Sequence, residues 1–294
     1  AHVIFKVIGV AIFYPFIGPL TKVVAHSASD LPRQIANAHT FFNIAITVIF
    51  LPIAGTMAKL VQRLVPESGA EERFSTRYLD ERVLSSPSLA LGQATREALR
   101  MADIVQDMFR GSIEVFKSDD IKLAERLEER DDDVDLLDRE IKLYLTRLSQ
   151  ESMEEGQSRR QIQVISFIND MENIGDIIDK NLMELAKKKI SKGLSFSKDG
   201  LRDICDLHRE VMENFDLAIS AFTSGDEELA RKLIRHKAGI GEMERELKQA
   251  HIQRLQMGLR ESIDTSAIHL DVLSNLKRIN SHICNIAYTM LAGK

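Results

Sequence analysis

Tryptophan is missing from this 294-residue sequence, cysteine occurs twice, proline six times and glycine fifteen times, and aromatic residues make up only 6%. So few glycines and prolines exclude a turn-rich all-β protein. The two cysteines, Cys205 and Cys284, stand alone inside helical patterns with no C-x-x-C spacing. They suit a reducing compartment and should pack as small apolar residues. A net charge of −5 offers no electrostatic case for a nucleic-acid partner. Catalytic motifs are missing as well. The sequence has no P-loop, G-x-G-x-x-G, G-x-S-x-G or H-E-x-x-H. None of its eight histidines has an acidic residue three positions earlier, which excludes the Glu-x-x-His pattern of di-iron bundles. An enzyme is not expected.

What is present is a steep asymmetry in hydropathy. Thr40 to Ala58 carries no charged residue; as a helix it would be ~28 Å long, close to the thickness of a bilayer's hydrocarbon core. Val7 to Thr21 is a second uncharged run, and it reaches spanning length if Val3, Ile4 and Phe5 join it while Lys6 snorkels. The two runs are copies at an offset of 37. Ala1, His2, Phe5, Ile12, Phe13, Pro15 and Gly18 match Ala38, His39, Phe42, Ile49, Phe50, Pro52 and Gly55. Residues 1–65 are therefore expected to be two membrane-spanning segments of repeated design, a habit of transporters. The chain opens on Ala1 without a basic leader, so a signal peptide is a poor reading and a piece of something longer is expected.

Residues 66–88, with Pro66, Ser68, Gly69 and Pro87 among mixed charges, read as a linker. Ser86 followed by Pro87 supplies a helix start. Beyond it the sequence repeats at an offset of 106. Val105, Phe109, Ile113 and Phe116 match Val211, Phe215, Ile219 and Phe222, at helical spacing. Breaks fall near Gly156–Ser158, Gly193–Gly200, Ser224–Gly225 (with Glu227 completing a capping box) and Gly258–Ser262. The pattern predicts an all-α fold: two transmembrane helices, then six long helices in two tandem three-helix bundles, 89–192 and 193–294.

The segment Asn169-Asp-Met-Glu-Asn-Ile-Gly-Asp176 with Asn181, and Asn275-Leu-Lys-Arg-Ile-Asn-Ser-His282 with Asn285, resemble the third-helix signature of PhoU-like domains. The front end, Ala38-His-Thr-Phe-Phe-Asn-Ile44 with Phe50-Leu-Pro52, is similar to the last membrane helices of bacterial sodium-dependent phosphate cotransporters. Some members of that family carry a PhoU-like domain at the C-terminus. The resemblance implies the C-terminal part of a sodium-coupled phosphate symporter in the inner membrane. Its cytoplasmic PhoU-like domain would be regulatory or assembly-related, alone or with a homo-oligomeric or regulatory protein partner. Phosphate and sodium ion would be ligands of the full-length protein. Gln-Ser-Ser motifs of the transport repeats are absent from these residues, so the translocation core is expected upstream of Ala1, and this piece alone should not transport. The alternative is a membrane-tethered PhoU-like adaptor that binds partners and moves no ion.

Two groups of residues stand out as candidate sites. His39, Asn43 and Thr47 form one polar stripe along the second hydrophobic helix. They would either border a transport pathway or join helices by hydrogen bonds. Asp131, Asp135 and Asp138 share a helix face, and Glu172 and Asp176 lie one turn apart on another helix. The PhoU-like resemblance implies that these helices pack together and hold metal between carboxylates; all-oxygen ligands suit hard divalent cations or iron. The bland reading is a solvated acidic face. In the second unit Lys237, Lys277 and Ser281 replace Asp131, Glu172 and Asp176, which confines any metal to the first.

Overall fold

The computed structural model describes residues 14, 17–28, 30–50 and 74–292. The chain divides into two compact units, Ala1–Arg73 and Phe74–Lys294.

In the first unit, α1 (Ile17–Ala25) and α2 (Leu31–Phe50) form a helical hairpin. Its turn is tied by side chains: Gln34 donates to the Ala28 carbonyl at 2.9 Å and Asn37 to the Ser27 hydroxyl at 2.9 Å. Asp30 accepts from the Arg33 backbone N–H at 3.2 Å, a cap for the new helix. No helix among the described residues is long and apolar enough to cross a membrane. Helix α2 starts nine residues before the uncharged run, so Arg33, Gln34 and Asn37 occupy its first turns. The remainder of that run, Leu51 to Ala58, lies outside the described residues, as does most of the first run, and the two expected membrane spans are neither of them present as described helices.

The second unit is all helical among its described residues. Its helices are α3 (Pro87–Ser118), α4 (Ile121–Leu148), α5 (Glu155–Ile177) running through a π-helical turn (Ile178–Met183) into α6 (Glu184–Ser191), α7 (Lys198–Ser224), α8 (Glu227–Gln256), the short α9 (Arg260–Asp264) and α10 (Ser266–Leu291). Helices α3 to α6 form one three-helix bundle and α7 to α10 the other. Of the apolar stripes that define the repeat, Val105, Phe109, Ile113, Phe116, Val211, Phe215 and Phe222 are buried and Ile219 is half-buried.

The bundles meet across α3/α7 and α5/α10. Phe109 and its repeat mate Phe215 face each other at 6.5 Å between ring centres, and Phe167 stacks on Phe222 at 3.8 Å. His208 stacks on Phe109 and its Nε2 lies 2.8 Å from the Phe109 carbonyl; burial holds its pKa below the usual imidazole value. Helices α5 and α10 run antiparallel, as shown by Ser166 opposite Thr289, Asp170 opposite Asn285 and Asn181 opposite Arg278. Cys284 is buried and Cys205 half-buried, both as free thiols.

Several helix boundaries differ from expectation for local reasons. The cap of α8 is Asp226, which accepts from the Glu228 and Leu229 N–H groups, rather than Ser224; that serine ends α7 and Gly225 turns the chain at φ 70°. Gly156 lies inside the first turn of α5, because Glu154 and Gln157 form the capping box one step earlier. Ser86 sits at the N-cap of α3 without a side-chain cap bond, leaving Pro87 as the start signal.

Candidate acidic site

Helices α4 and α5 bring three of the expected carboxylates together. One oxygen each from Asp131, Asp135 and Asp176 lies within 4.8 Å of the others. Asp131 is buried, Asp176 half-exposed and Asp135 exposed, so the group opens from the core to solvent. Gly175 makes this approach possible. A Cβ there would stand 2.6 Å from Asp131 Oδ1, so only glycine lets the carboxylate settle against α5. That same oxygen is buried with no hydrogen-bond partner. Burial, reinforced by Asp135, Asp179 and Asp176, pushes the Asp131 carboxyl up to about 7.

Glu172 is outside this triad. Burial raises its pKa, and Asp176 and Asp138 raise it further. The pKa of Asp138 is raised by burial as well, and its Oδ2 accepts from Lys142 at 2.7 Å. Asp179, which sequence reading passed over, interacts with Asp131 instead. Its position depends on the π-helical turn. From Asp176 to Asn181 is five residues, whereas from the matching Ser281 to Asn285 is four. The wider π turn absorbs the extra residue. It keeps Asn181 at the seam with α10, where Arg278 donates to it at 3.3 Å. That one-residue difference between the repeats was the signal available in the sequence.

Lysines hem the site. Lys180 pairs with Asp176 and Lys187 with Glu128. A cation entering the triad would compete with the Lys180 ammonium. The second bundle has settled the same problem internally. Glu244, the repeat mate of Asp138, is buried and gripped by Lys248 and by Lys277 at 3.1 Å. Burial pushes its pKa up, but the two ammonium hydrogen bonds outweigh burial and hold it below the usual value. Lys237 lies 4.9 Å over the Tyr288 ring, and Ser281 bonds back to the Lys277 carbonyl.

The other candidate stripe lies in the first unit. His39 and Asn43 are exposed on α2 and hydrogen-bonded to each other at 3.1 Å; Thr47 continues the same helix.

The sequence pattern of the PhoU domain matches twice, over residues 98–184 and 204–290, one match per bundle. YjbB of Salmonella typhimurium, provisionally named as an inorganic phosphate export protein, is 32% identical over 289 residues. That match takes in 98% of this chain and 53% of YjbB, so the chain spans about half the length of that relative. The phosphate-specific transport system accessory protein PhoU homolog 1 of Thermotoga maritima is 26% identical over 64% of this chain and 79% of its own. The crystal structure of PhoU from Pseudomonas aeruginosa superposes with a TM-score of 0.65 at 20% identity, covering 70% of this chain and 97% of that one. Two tandem helical bundles, matched twice in sequence and as a pair in three dimensions, place this chain in the PhoU domain family.

Proposed function

We propose that this chain is the regulatory C-terminal part of a sodium-coupled phosphate transporter of the inner membrane. In this reading residues 1–65 belong to the transport unit and the two bundles form a cytoplasmic domain that adjusts it. One observation carries the reading: the likeness to YjbB runs through both the hydrophobic unit and the bundles, taking in 98% of this chain. A hydrophobic front and a PhoU domain thus occur on one polypeptide in a relative named for phosphate export. His39 and Asn43, already paired on α2, would face the interior of that unit together with Thr47.

The acidic site supplies the regulatory input. Asp131, Asp135 and Asp176, with Glu172 and Asp179 alongside, suit a hard divalent cation or iron, since every donor is a carboxylate oxygen and the buried Asp131 Oδ1 lacks a partner. A bound cation would neutralise the cluster and tie α4 to α5.

The test is phosphate flux in cells expressing the complete reading frame that contains this chain, followed with radiolabelled phosphate with and without sodium. Sodium-dependent flux whose rate changes when residues 89–294 are deleted supports the reading. Flux indifferent to sodium removes the coupling. No flux at all, with partner proteins retained by the bundles, favours a tethered adaptor.

A further inference from the structure

The segment entering the first bundle is not a free linker. Phe74, Leu79, Val83 and Leu84 pack on the bundle core, and a single turn of 3₁₀ helix, Glu81–Val83, closes the segment before α3. Beneath it lies Glu97 of α3, whose side chain is wholly buried. One oxygen of Glu97 accepts the backbone N–H groups of Arg77 at 2.9 Å and Tyr78 at 2.7 Å. The other accepts from Arg100 at 2.6 Å, and Arg100 also donates to the Ser75 carbonyl at 2.8 Å. Two cation–π contacts flank this centre, Arg100 over Phe74 and Arg96 over Tyr78, both at 4.2 Å. Farther along, Gln93 accepts from the Asp80 N–H at 3.0 Å, and Tyr144 of α4 donates to the Asp80 carbonyl at 3.1 Å.

We propose that residues 74–84 are a latch, held shut by the buried Glu97 carboxylate, that opens as a unit while the bundle stays folded. The reasoning is one of concentration. Most of the latch's polar contacts converge on Glu97, Arg100 and Gln93, three residues of one helix face. Charge-assisted bonds of this kind are the strong ones, and a sealed carboxylate that loses its donors is costly, so opening is all-or-none. Local units with their own opening equilibria are a general property of folded chains. The duplicated bundle shows what is special here. Asp203 stands at the position of Glu97, but its carboxylate is held by the Arg254 side chain, with His269 at 3.9 Å, rather than by backbone N–H groups of the segment that enters the bundle.

Opening would change the tether between the two units. Residues 74–86 would be released from the bundle, and an extended segment of that length reaches roughly 40 Å. The latch stands on these contacts alone; its use as a control on transport rests on the function proposed above.

The experiment is hydrogen–deuterium exchange of the full chain in detergent, comparing wild type with Glu97→Gln, Arg100→Gln and Asp203→Asn. Glu97→Gln and Arg100→Gln should each speed exchange of the 74–84 amides by about tenfold, while peptides of α3 to α5 keep their protection. Trypsin should then cut earlier at Arg77 and Arg82, both exposed. Asp203→Asn should leave the latch untouched. Unchanged exchange at 74–84 in both latch variants overturns the proposal. Equal acceleration of the latch and of α3 to α5 overturns it too, because the segment would then open only with the whole bundle. Neither outcome depends on transport.

Discussion

Asp131→Asn is expected to stabilise the bundle unit at neutral pH and to do nothing at pH 4. The wild-type carboxyl is raised from 3.8 to about 7, first by burial and then by Asp135, Asp179 and Asp176. A raised carboxyl in the folded state penalises folding wherever the group must ionise. The penalty is therefore absent below about pH 4, grows as pH rises, and is complete above about pH 7. A rise of that size corresponds to a ceiling of about 4 kcal/mol, and solvent screening at the open side of the cluster brings the expectation to roughly 2–4 kcal/mol. Asparagine keeps the shape, removes the charge and can donate to the neighbouring carboxylates. For a unit of this size each 1 kcal/mol moves the melting temperature by about 2–4 °C, so a rise of at least about 4 °C at pH 8 is expected. The assay is thermal and urea unfolding of wild type and variant with chelator present, at pH 4, 6 and 8. A variant that is less stable than wild type at pH 8, or equally shifted at all three values, would refute the reasoning; the carboxylate would then be ionised and well held.

His269 provides the opposite slope. It stacks on His251 at 4.4 Å near the Asp203–Arg254 pair, and burial with that neighbour lowers its pKa from 6.5 to about 4. A lowered imidazole costs stability as pH falls from 6.5 to 4, up to about 3 kcal/mol; His269→Leu should lack this acid-side loss, and an unchanged pH–stability curve would count against it. Asp119 holds φ 57°, where its repeat mate Gly225 has φ 70°, and its carboxylate pairs with the buried Lys189. Asp119→Gly relieves about 1 kcal/mol of backbone cost but strands a buried ammonium worth about 3 kcal/mol or more, so urea unfolding should show a net loss that Lys189→Met restores. Metal at the acidic site should raise the melting temperature with manganese, iron or magnesium and lower it on chelation. Asp176→Asn with Glu172→Gln should abolish that difference and Lys180→Met enlarge it, while identical curves and no metal by elemental analysis would leave a solvated acidic face.

The duplication was legible because apolar positions recur at helical spacing, and burial enforces that spacing: Phe109 and Phe215 are both fully buried. Helix ends were less legible. Ser224 and Asp226 are both good caps by residue type, and only the backbone decides that Asp226 receives the N–H groups. At the acidic site, the i, i+4 rule puts Asp131 and Asp135 on one face, and Asp176, expected beside them from the family resemblance, lies with them. Glu172 lies outside the three-oxygen group but its carboxyl feels Asp176 first among the charges around it, because a helix-face argument fixes positions along one helix and not the rotation of two helices against each other. Asp179 escaped notice because its placement depends on a π turn, visible only as one extra residue between repeats. The latch at 74–84 was hidden by composition: prolines, glycines and mixed charges read as a linker, while the residues that dock it, Gln93, Glu97 and Arg100, lie on α3.

The two bundles compensate the acids of their second helices in different ways. Both bundles place an acid on their second helix toward the third, Asp138 in one and Glu244 in the other. In the second bundle Lys248 and Lys277 close the charge balance within the chain, and Glu244 ionises readily. A fold selected only for stability would settle both halves this way, since the same scaffold accepts it. In the first bundle Glu172 and Asp131 take the places of Lys277 and Lys237, leaving a carboxylate pushed up to about 7 with one oxygen unpaired. A carboxyl held there changes charge with small changes in proton activity near neutral pH. The two halves of the duplicated domain thus differ in how their acids are compensated: Glu244 by two lysines of the chain in the second bundle, while in the first Asp131 Oδ1 is buried without a hydrogen-bond partner.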